Sequence, residues 1–259
     1  MKRILSMGLA LLMLLGAVCI PVSASMPDNP HPYDHEGYIR PGDKFRPYDA
    51  LTRAEMVCLL YRMLDDEQKR DSFVGYDCKF TDVDIPQNTW YGRALMNLDL
   101  LGIVKGYEDG TFRPNQPVSR AEFVVLLSRI HELEAGEKSF PDVPKTHWAY
   151  DAIAAAGELF PDHLTVRRSN PEKRVSMSDG TFRPNESVKR IEAVKMINNM
   201  LGWSCDRDFV DNEKHLSGFE FEDLERGSWE YYEVMEATLS HNCIHENGKE
   251  IWTKAAVAA

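Results

Sequence analysis

The chain has 259 residues, of which 43% are hydrophobic, 27% charged and 10% aromatic, and this balance excludes disordered, collagen-like and polytopic membrane proteins. Its formal net charge is −11 and it has no basic tract, which excludes a nucleic-acid-binding protein that depends on neutralising phosphates. An anionic ligand would therefore have to be bound by a few placed cations and not by overall attraction.

Residues 1–24 have the three-part pattern of a secretory signal peptide. Lys2 and Arg3 precede an apolar run from Leu9 to Ile20, and Val22-Ser23-Ala24 supplies the small residues of a cleavage site. The alternative, a membrane anchor, is weaker because the run is too short to span the hydrocarbon core. No later stretch is long and apolar enough to cross a bilayer. We therefore expect an exported protein with no membrane span after signal cleavage.

Four cysteines follow the signal segment, namely Cys58, Cys78, Cys205 and Cys243. This even number in an oxidising compartment allows two disulfides, and the sequence does not choose among the three possible connectivities. Neither a CxxC motif nor the Cys/His spacing of zinc ligands occurs, so we predict no metal site and no cofactor.

Three sequence elements occur three times each, in one fixed cyclic order. The first contains Phe-Arg-Pro and occurs at Lys44–Pro47, Thr111–Pro114 and Thr181–Pro184. The second contains Arg-x-Glu and occurs at Thr52–Glu55, Ser119–Glu122 and Lys189–Glu192. The third contains Phe-x-Asp and occurs at Phe80–Val83, Phe140–Val143 and Phe221–Leu224. A tryptophan follows each copy of the third element, at Trp90, Trp148 and Trp229.

The second element predicts the start of a helix. Thr52 with Glu55, and Ser119 with Glu122, have the spacing of a capping box. Apolar residues then recur at i, i+3, i+4 and i+7, which predicts one buried stripe per helix. The stripes are Met56, Leu59, Leu60 and Met63; Phe123, Leu126, Leu127 and Ile130; and Ala193, Met196, Ile197 and Met200. Lys189 replaces the capping hydroxyl of the third helix, which should therefore begin less firmly, by about 1 kcal/mol.

A second kind of helix is predicted after each tryptophan. Its inner face carries apolar pairs at i, i+3, which are Leu95 and Leu98, Ile153 and Ala156, and Val234 and Ala237. Leu101-Gly102 predicts a left-handed stop for the first of these helices, and Asp109-Gly110 predicts a tight turn in the loop that follows. No segment alternates as a strand would, so the predicted fold class is mainly α, built from helix-loop-helix repeats.

The order of the pieces is half, full, full, half. The predicted segments are the signal at 1–24, a linker at 25–36, a half repeat with the loop and second helix at 37–75, full repeats at 78–135 and 138–203, a half repeat with the first helix at 219–245, and a tail at 246–259. We predict that the terminal halves pack together as a third unit, which gives a circularly permuted pseudo-three-fold bundle. The alternative is a decayed first repeat and a truncated fourth.

The combination of Phe-x-Asp-Val, a downstream Trp, Gly-Tyr-x-Asp-Gly-Thr-Phe-Arg-Pro-Asn and Ser-Arg-Ala-Glu closely resembles the S-layer homology (SLH) repeat of bacterial envelope proteins. Residues 80–131 match throughout, and 37–243 match in lesser degree. The resemblance implies a three-pronged helical pseudo-trimer whose grooves bind secondary cell-wall polysaccharide, often carrying ketal-linked pyruvate. It thereby implies a secreted, non-enzymatic anchor of the Gram-positive cell wall or S-layer, whose partner is a polysaccharide linked to peptidoglycan. An envelope protein is compatible with it as a further partner.

The chemistry of a pyruvylated sugar suits the repeated residues. Arginine binds a carboxylate bidentately, tryptophan offers a flat apolar face to a sugar ring, and loop aspartates and amides near glycine bind hydroxyls. The predicted ligand-binding residues are Arg53, Arg120, Arg190, Thr52, Ser119, Asp109, Gly110, Asp179, Gly180, Trp90, Trp148 and Trp229. The arginines have an alternative interpretation as solvated side chains, and the tryptophans as core residues. Asp82, Asp142 and Asp223 are predicted to be N-terminal caps of the first helices.

Three other functions compete with this one. An enzyme is disfavoured because no non-repeated stretch is large enough for a catalytic domain. Calcium binding is disfavoured because the EF-hand ligand spacing is absent. An exported scaffold that binds another protein and has no glycan affinity stays open as the alternative.

Overall fold

The structure is a computed structural model that describes residues 37–39, 44–64, 68–69, 76–83, 89–131, 133, 136–159, 167–170, 175–178, 180–212, 221–247 and 249–257. All of these residues belong to one compact unit, Tyr33–Ala259. The predicted signal segment at 1–24, the linker at 25–36 and the candidate residue Asp179 lie outside the described residues.

The described residues form seven helices and four strands. The helices are α1 (Arg53–Arg62), α2 (Gly92–Leu100), α3 (Arg120–Ile130), α4 (Tyr150–Leu159), α5 (Arg190–Leu201), α6 (Arg207–Asn212) and α7 (Trp229–Thr238). The strands are β1 (Arg167–Asn170), β2 (Val175–Ser178), β3 (Leu239–Glu246) and β4 (Lys249–Val257), paired as β1–β2 and β3–β4. The predicted mainly α class is therefore confirmed. Among the described helices, none has the length and apolar character needed to cross a membrane.

The predicted helix starts are confirmed for α1 and α3. The Thr52 hydroxyl accepts a hydrogen bond from the Glu55 amide, and the Glu55 carboxylate accepts one from the Thr52 amide at 2.9 Å. Ser119 and Glu122 form the same box before α3. The Lys189 side chain makes no capping hydrogen bond before α5, as its chemistry requires.

The predicted apolar stripes are also confirmed. The first three residues of each stripe are buried, and the fourth residues, Met63, Ile130 and Met200, are half-buried. The inner pairs of α2, α4 and α7 are buried as well. These helices pack in pairs, α1 with α2, α3 with α4 and α5 with α7. One hydrophobic core runs through all six.

A closed ring of backbone hydrogen bonds joins the segments that precede α1, α3 and α5. The Leu51 amide donates to the Val188 carbonyl, Val188 donates to Val118, and Val118 donates back to Leu51, each at 2.9 Å. Each of these three residues is fully buried. The ring ties together segments that are about 70 to 140 residues apart in the chain.

The first described residues lie against the C-terminal part of the chain. The amides of Tyr38 and Ile39 both donate to the Ala237 carbonyl at the end of α7, at 2.7 Å. At the end of α2, two successive amides donate to the Leu98 carbonyl in the same way. The segment at the beginning of the chain therefore follows α7 in space as residues 103–104 follow α2.

The C-terminal region contains a hairpin that the sequence pattern did not predict. β3 continues directly from α7, and β3 pairs antiparallel with β4 from Leu239↔Val257 to Glu246↔Lys249. The hairpin packs with α6 and α7 around a second hydrophobic cluster that includes Met235 and Trp252. The segment interpreted as a tail at 246–259 is thus largely a paired strand. Polar residues point into this cluster, which removed the alternation that would have revealed a strand.

No disulfide joins the four described cysteines. Each of them is half-buried, and Cys205 and Cys243 both pack against the second cluster. Burial, followed by the negative charges of Glu236 and Asp206, raises the pKa of the Cys205 thiol well above its usual value. That thiol is therefore protonated at neutral pH and unreactive.

Candidate functional site

The loop that precedes α3 is built around the predicted Asp109-Gly110 turn. Gly110 has φ +77°, a conformation that favours glycine, and its amide donates to the Tyr107 carbonyl at 3.0 Å. The Asp109 carboxylate accepts hydrogen bonds from the Thr111 hydroxyl at 2.6 Å and from the Arg113 guanidinium at 2.7 Å. The Thr111 hydroxyl, and then Arg113, lower the pKa of Asp109 to about 2. The exposed turn therefore presents a permanent negative charge beside a permanent positive one.

The arginine of each Phe-Arg-Pro element has a left-handed backbone. Arg46, Arg113 and Arg183 have φ values of 58°, 58° and 59°, a region that is costly for a residue with a side chain. Such strain persists only where surrounding contacts enforce it, and it is concentrated at functional sites. The same strained residue in three loops is a site feature that the sequence analysis missed, although the repeated motif was its visible signal.

The aspartates of the Phe-x-Asp elements enforce that strain. Asp82 accepts hydrogen bonds from the Phe112 and Arg113 amides at 2.6 and 2.7 Å. Asp142 does the same for residues 182–183, and Asp223 for residues 45–46. The prediction that these aspartates cap helices is wrong, since α7 for example is capped by Ser228. Each carboxylate instead accepts hydrogen bonds from two successive backbone amides of a loop and so fixes the conformation of that loop.

The first of the predicted ligand-binding arginines, Arg53, is buried and bonded to the loop of the next repeat. Its Nε donates to the Phe112 carbonyl at 2.6 Å, and its Nη1 lies 3.6 Å from Glu122. Its guanidinium also lies 4.8 Å from the centres of the Phe112 and Tyr107 rings. Arg53 therefore links α1 to the following unit.

Arg120 and Arg190 repeat this arrangement. Arg120 donates to the Phe182 carbonyl at 2.7 Å and pairs with Glu192 at 3.2 Å. Arg190 donates to the Phe45 carbonyl at 2.7 Å and pairs with Glu55 at 2.8 Å. Burial lowers the pKa of both arginines, and the paired glutamates oppose that shift. The interpretation of these arginines as solvated side chains does not fit these contacts.

The three tryptophans are exposed. Trp90, Trp148 and Trp229 are 68%, 64% and 44% exposed at or just before the starts of α2, α4 and α7. The alternative interpretation as core residues is therefore wrong. Trp148 stacks on His147, and the Lys195 ammonium lies 4.8 Å from the centre of the Trp229 ring. Each repeat thus presents one large flat apolar face at its surface.

One polar cluster joins residues of two successive repeats. The guanidinium groups of Arg53 and Arg113 both lie over the Tyr107 ring, at 4.8 and 3.9 Å from its centre. The Tyr107 hydroxyl accepts a hydrogen bond from Gln116 at 2.9 Å and lies 3.3 Å from Glu122. This cluster brings predicted Arg53 together with Tyr107, Arg113 and Gln116, which the sequence analysis did not single out.

The remaining predicted residues have local partners. The hydroxyls of Thr52 and Ser119 are used in capping boxes. Gly180 has φ +72° and an open surrounding, comparable with Gly110. These positions keep the loops and helix starts in a common geometry, while Asp179 lies outside the described residues.

The family model of the S-layer homology domain matches residues 79–124. This range begins one residue before the Phe-x-Asp element and ends within α3. It therefore contains α2, the Asp109-Gly110 turn and the start of α3.

Curated relatives extend the similarity over more of the chain. Cell surface glycoprotein 1 of Acetivibrio thermocellus is 27% identical over 238 residues, which cover 85% of this chain and 9% of the relative. The cellulosome-anchoring protein of the same organism is 27% identical over 235 residues, or 84% of this chain and 46% of the relative. A surface-layer 125 kDa protein of Lysinibacillus sphaericus is 35% identical over 105 residues, which cover 40% of this chain and 8% of the relative. The chain spans less than half the length of these relatives.

Proposed function

Because the chain is an S-layer homology domain protein that is secreted and associated with the cell wall, we propose that it is a non-enzymatic anchor that binds an anionic, pyruvylated secondary cell-wall polysaccharide. The observation that carries this proposal is the exposure of three tryptophans at one repeated position. Exposing a large indole to water is unfavourable, so its exposure at the same position of three repeats favours a shared ligand with an apolar face. The similarity to a cellulosome-anchoring protein supports the anchoring role.

The proposed ligand grooves lie between three units of a circularly permuted pseudo-three-fold bundle. The closed ring of Leu51, Val118 and Val188 supports this arrangement, because each residue donates to one neighbour and accepts from the other. Arg53, Arg120 and Arg190 support it too, because each bonds to the Phe-Arg-Pro loop of the next unit in cyclic order. In this arrangement the terminal halves form one unit.

The carboxylate of a pyruvate ketal requires a cation that solvent and ligand can reach. The Arg113 side chain is 40% exposed, whereas the Arg120 side chain is 3% exposed. The three hydrogen bonds of Arg113 to Asp109, Thr111 and Gln116 use three of its five N–H donors, and the other two can bind a ligand carboxylate. We therefore assign the ligand contact in the second unit to Arg113.

The buried arginines receive a positioning role in this proposal. Arg53 donates a hydrogen bond to the carbonyl of Phe112, the residue directly before Arg113, and its guanidinium packs on the same Tyr107 ring as that of Arg113. Their loss would displace the loop and its exposed arginine together. Arg120 and Arg190 are assigned the same role in the loops at 181–184 and 44–47.

The sugar ring and its hydroxyl groups are assigned to the remaining repeated residues. Trp90, Trp148 and Trp229 would pack against ring faces. The turn carboxylate of Asp109, the equivalent Asp179 and the amides near Gly110 and Gly180 would bind hydroxyls. Thr52 and Ser119 act in this proposal by fixing the helix starts from which the buried arginines project.

Sedimentation with purified bacterial walls tests the proposal. The protein is expected to sediment with intact walls and to stay in solution with walls from which acid has extracted the secondary polymer. Trp90→Ala should lower the bound fraction at least several-fold. Leu100→Ala is the matched control, because Leu100 is an exposed apolar residue at the far end of α2, the helix that Trp90 precedes.

Two outcomes would overturn the glycan proposal. Equal binding to intact and acid-extracted walls would place the ligand elsewhere in the wall. Binding that protease treatment of the walls abolishes, with no effect of acid extraction, would favour the alternative of a protein-binding scaffold.

A further inference from the structure

A cluster of metal-ligating side chains lies inside the C-terminal region, outside the repeated loops. It contains Glu236 of α7, His241 of β3 and Glu250 of β4, all of them buried. Their ligand atoms all lie within 4.8 Å of one another. Three separate elements thus bring one imidazole nitrogen and two carboxylates to a common point.

The imidazole of His241 is oriented by its own backbone neighbour. Its Nδ1 lies 2.9 Å from the Leu239 carbonyl oxygen, which can only accept a hydrogen bond, so Nδ1 carries a proton. The other nitrogen, Nε2, lies 2.8 Å from Glu250 Oε1 and 3.5 Å from Glu236 Oε1. Nε2 and these two carboxylate oxygens are therefore the atoms that face the centre of the cluster, and all three are of the kinds that bind metal ions. Histidines that bind metals are held in this way, with the second ring nitrogen bonded to a carbonyl or carboxylate.

Further contacts fix the other groups. The Trp252 ring stacks on the His241 ring at 3.8 Å between centres, with 16° between the planes. The Trp252 indole N–H donates to Glu250 Oε1 at 3.0 Å, and the Ser204 amide donates to Glu250 Oε2 at 3.0 Å. The imidazole and the Glu250 carboxylate are therefore held in place by a second set of contacts, as ligands of a metal site are.

Two buried carboxylates face one imidazole nitrogen at the centre of this cluster. Carboxylates are costly to bury unless they are paired or coordinate a metal ion. One divalent cation would cancel the charge of both carboxylates.

We propose that Glu236, His241 and Glu250 form a binding site for a divalent first-row metal ion, with Zn²⁺ as its probe. Zinc takes histidine nitrogen and carboxylate oxygen at about 2.0–2.2 Å, and tetrahedral ligands are then roughly 3.4 Å apart. The separation of His241 Nε2 from Glu236 Oε1 already has this value. Glu250 Oε1 would move by about half an ångström to reach the same separation from Nε2. The metal would join α7 to both strands of the hairpin.

A neighbouring group supplies a matched control. Cys243, His245 and Glu250 also bring their ligand atoms within 4.8 Å of one another, and Glu250 belongs to both groups. His245 is exposed on β3, four residues from His241. Binding at the buried group requires His241 and Glu236, whereas binding at the outer group requires His245.

The test measures zinc binding to the purified protein. The protein is first dialysed against a chelator, and the chelator is then removed by dialysis against buffer. Isothermal titration with Zn²⁺, and elemental analysis after desalting, should give one tightly held ion per chain. Glu236→Gln keeps the volume and hydrogen-bonding capacity of the side chain and should weaken zinc binding at least tenfold. His245→Ala should bind as the unaltered protein does. Zinc should raise the melting temperature of the unaltered protein and of His245→Ala, but not of Glu236→Gln.

Several results would overturn the proposal. It fails if the folded, metal-free protein does not bind zinc, or if Glu236→Gln binds it as tightly as the unaltered protein. Loss of binding in His245→Ala with retention in Glu236→Gln would assign the ion to the outer group. Circular dichroism of each variant verifies that it is folded, and titration with Co²⁺, whose visible absorbance reports its ligands, distinguishes the buried group from the thiol-containing outer one.

Discussion

Asp223 accepts a hydrogen bond of 2.7 Å from the backbone amide of Phe45, although 178 residues separate the two in the chain. Within the second repeat, Asp82 makes the equivalent bond to Phe112, only 30 residues away. The rings agree as well, since Phe45 contacts Phe221 at 5.8 Å between centres and the rings of residues 80 and 112 are 5.5 Å apart. The two ends of the chain thus make with each other the contacts that a complete repeat makes within itself.

The first prediction concerns the stability that this contact provides. Asp223→Ala should lower the free energy of unfolding by about 1–3 kcal/mol, because two loop amides lose a charged acceptor. Asp82→Ala should cost a similar amount if the two units are equivalent. Urea denaturation followed by circular dichroism measures both changes.

The neighbouring exposed residue provides the control for Asp223. Glu222→Ala should change the free energy of unfolding by no more than about 0.5 kcal/mol. If Asp82→Ala lowers the free energy of unfolding and Asp223→Ala does not lower it comparably, the terminal halves do not form a unit equivalent to the complete repeats.

The second prediction uses pH to examine the junction between α1 and α5. Burial raises the pKa of Glu55, but hydrogen bonds from Thr52 and the charges of Arg190 and Arg46 outweigh burial and hold that pKa below its usual value of 4.5. A lowered pKa in the folded state means that the unfolded state binds the proton more readily. The stabilisation is therefore present above about pH 4.5 and is lost as the pH falls through the folded-state pKa.

Glu55→Gln should accordingly be less stable than the unaltered protein at pH 7, by about 1–2 kcal/mol. The difference should shrink as the pH falls below 4.5 and the carboxylate of the unaltered protein is protonated. Denaturation curves at several pH values measure it, with the exposed Glu225→Gln as the control. A difference that stays constant with pH would show that the Glu55 charge does not hold the junction.

Local patterns were sufficient to predict the helices of the repeats and the starts of α1 and α3. A capping box needs residues three positions apart, and a buried stripe needs residues up to seven apart, so both are visible in a short window. Thr52, Ser119 and the three stripes behave as predicted for this reason. The exception in α5 was visible too, because Lys189 has no acceptor in its side chain.

The candidate site was harder to predict because its contacts join distant parts of the chain. Arg120 bonds to the backbone carbonyl of Phe182, 62 residues away. Every residue has such a carbonyl, so the sequence does not indicate which one an arginine will contact. A buried arginine and a ligand-binding arginine therefore look alike until the partner is known. The hairpin was missed because His241 and Glu250 occupy inward positions where a strand pattern requires apolar residues.

The third prediction separates the two kinds of arginine. Arg120→Ala should lower the free energy of unfolding by about 2–4 kcal/mol, because it leaves the Phe182 carbonyl and Glu192 without their cation. Arg113→Ala should leave the free energy of unfolding nearly unchanged, since its ion pair with Asp109 is exposed. Arg113→Ala should nevertheless lower sedimentation with intact walls several-fold. Unimpaired wall binding by Arg113→Ala would remove this residue from the proposed site.

The last prediction concerns the missing cap of α5. Lys189 has φ −80° and ψ 153°, nearly the values of Ser119 before α3, so the backbone is already in the conformation of a capping residue. Lys189→Ser should therefore raise the free energy of unfolding by about 1 kcal/mol through the new cap. Loss of the Lys189 ammonium, which lies 5.7 Å from the centre of the Tyr48 ring, should offset about 0.5 kcal/mol of this gain. Chemical denaturation measures the gain, and the exposed Lys145→Ser controls for loss of a positive charge. If Lys189→Ser is no more stable than the unaltered protein, the start of α5 is held by Glu192 and by the backbone ring, and not by its cap.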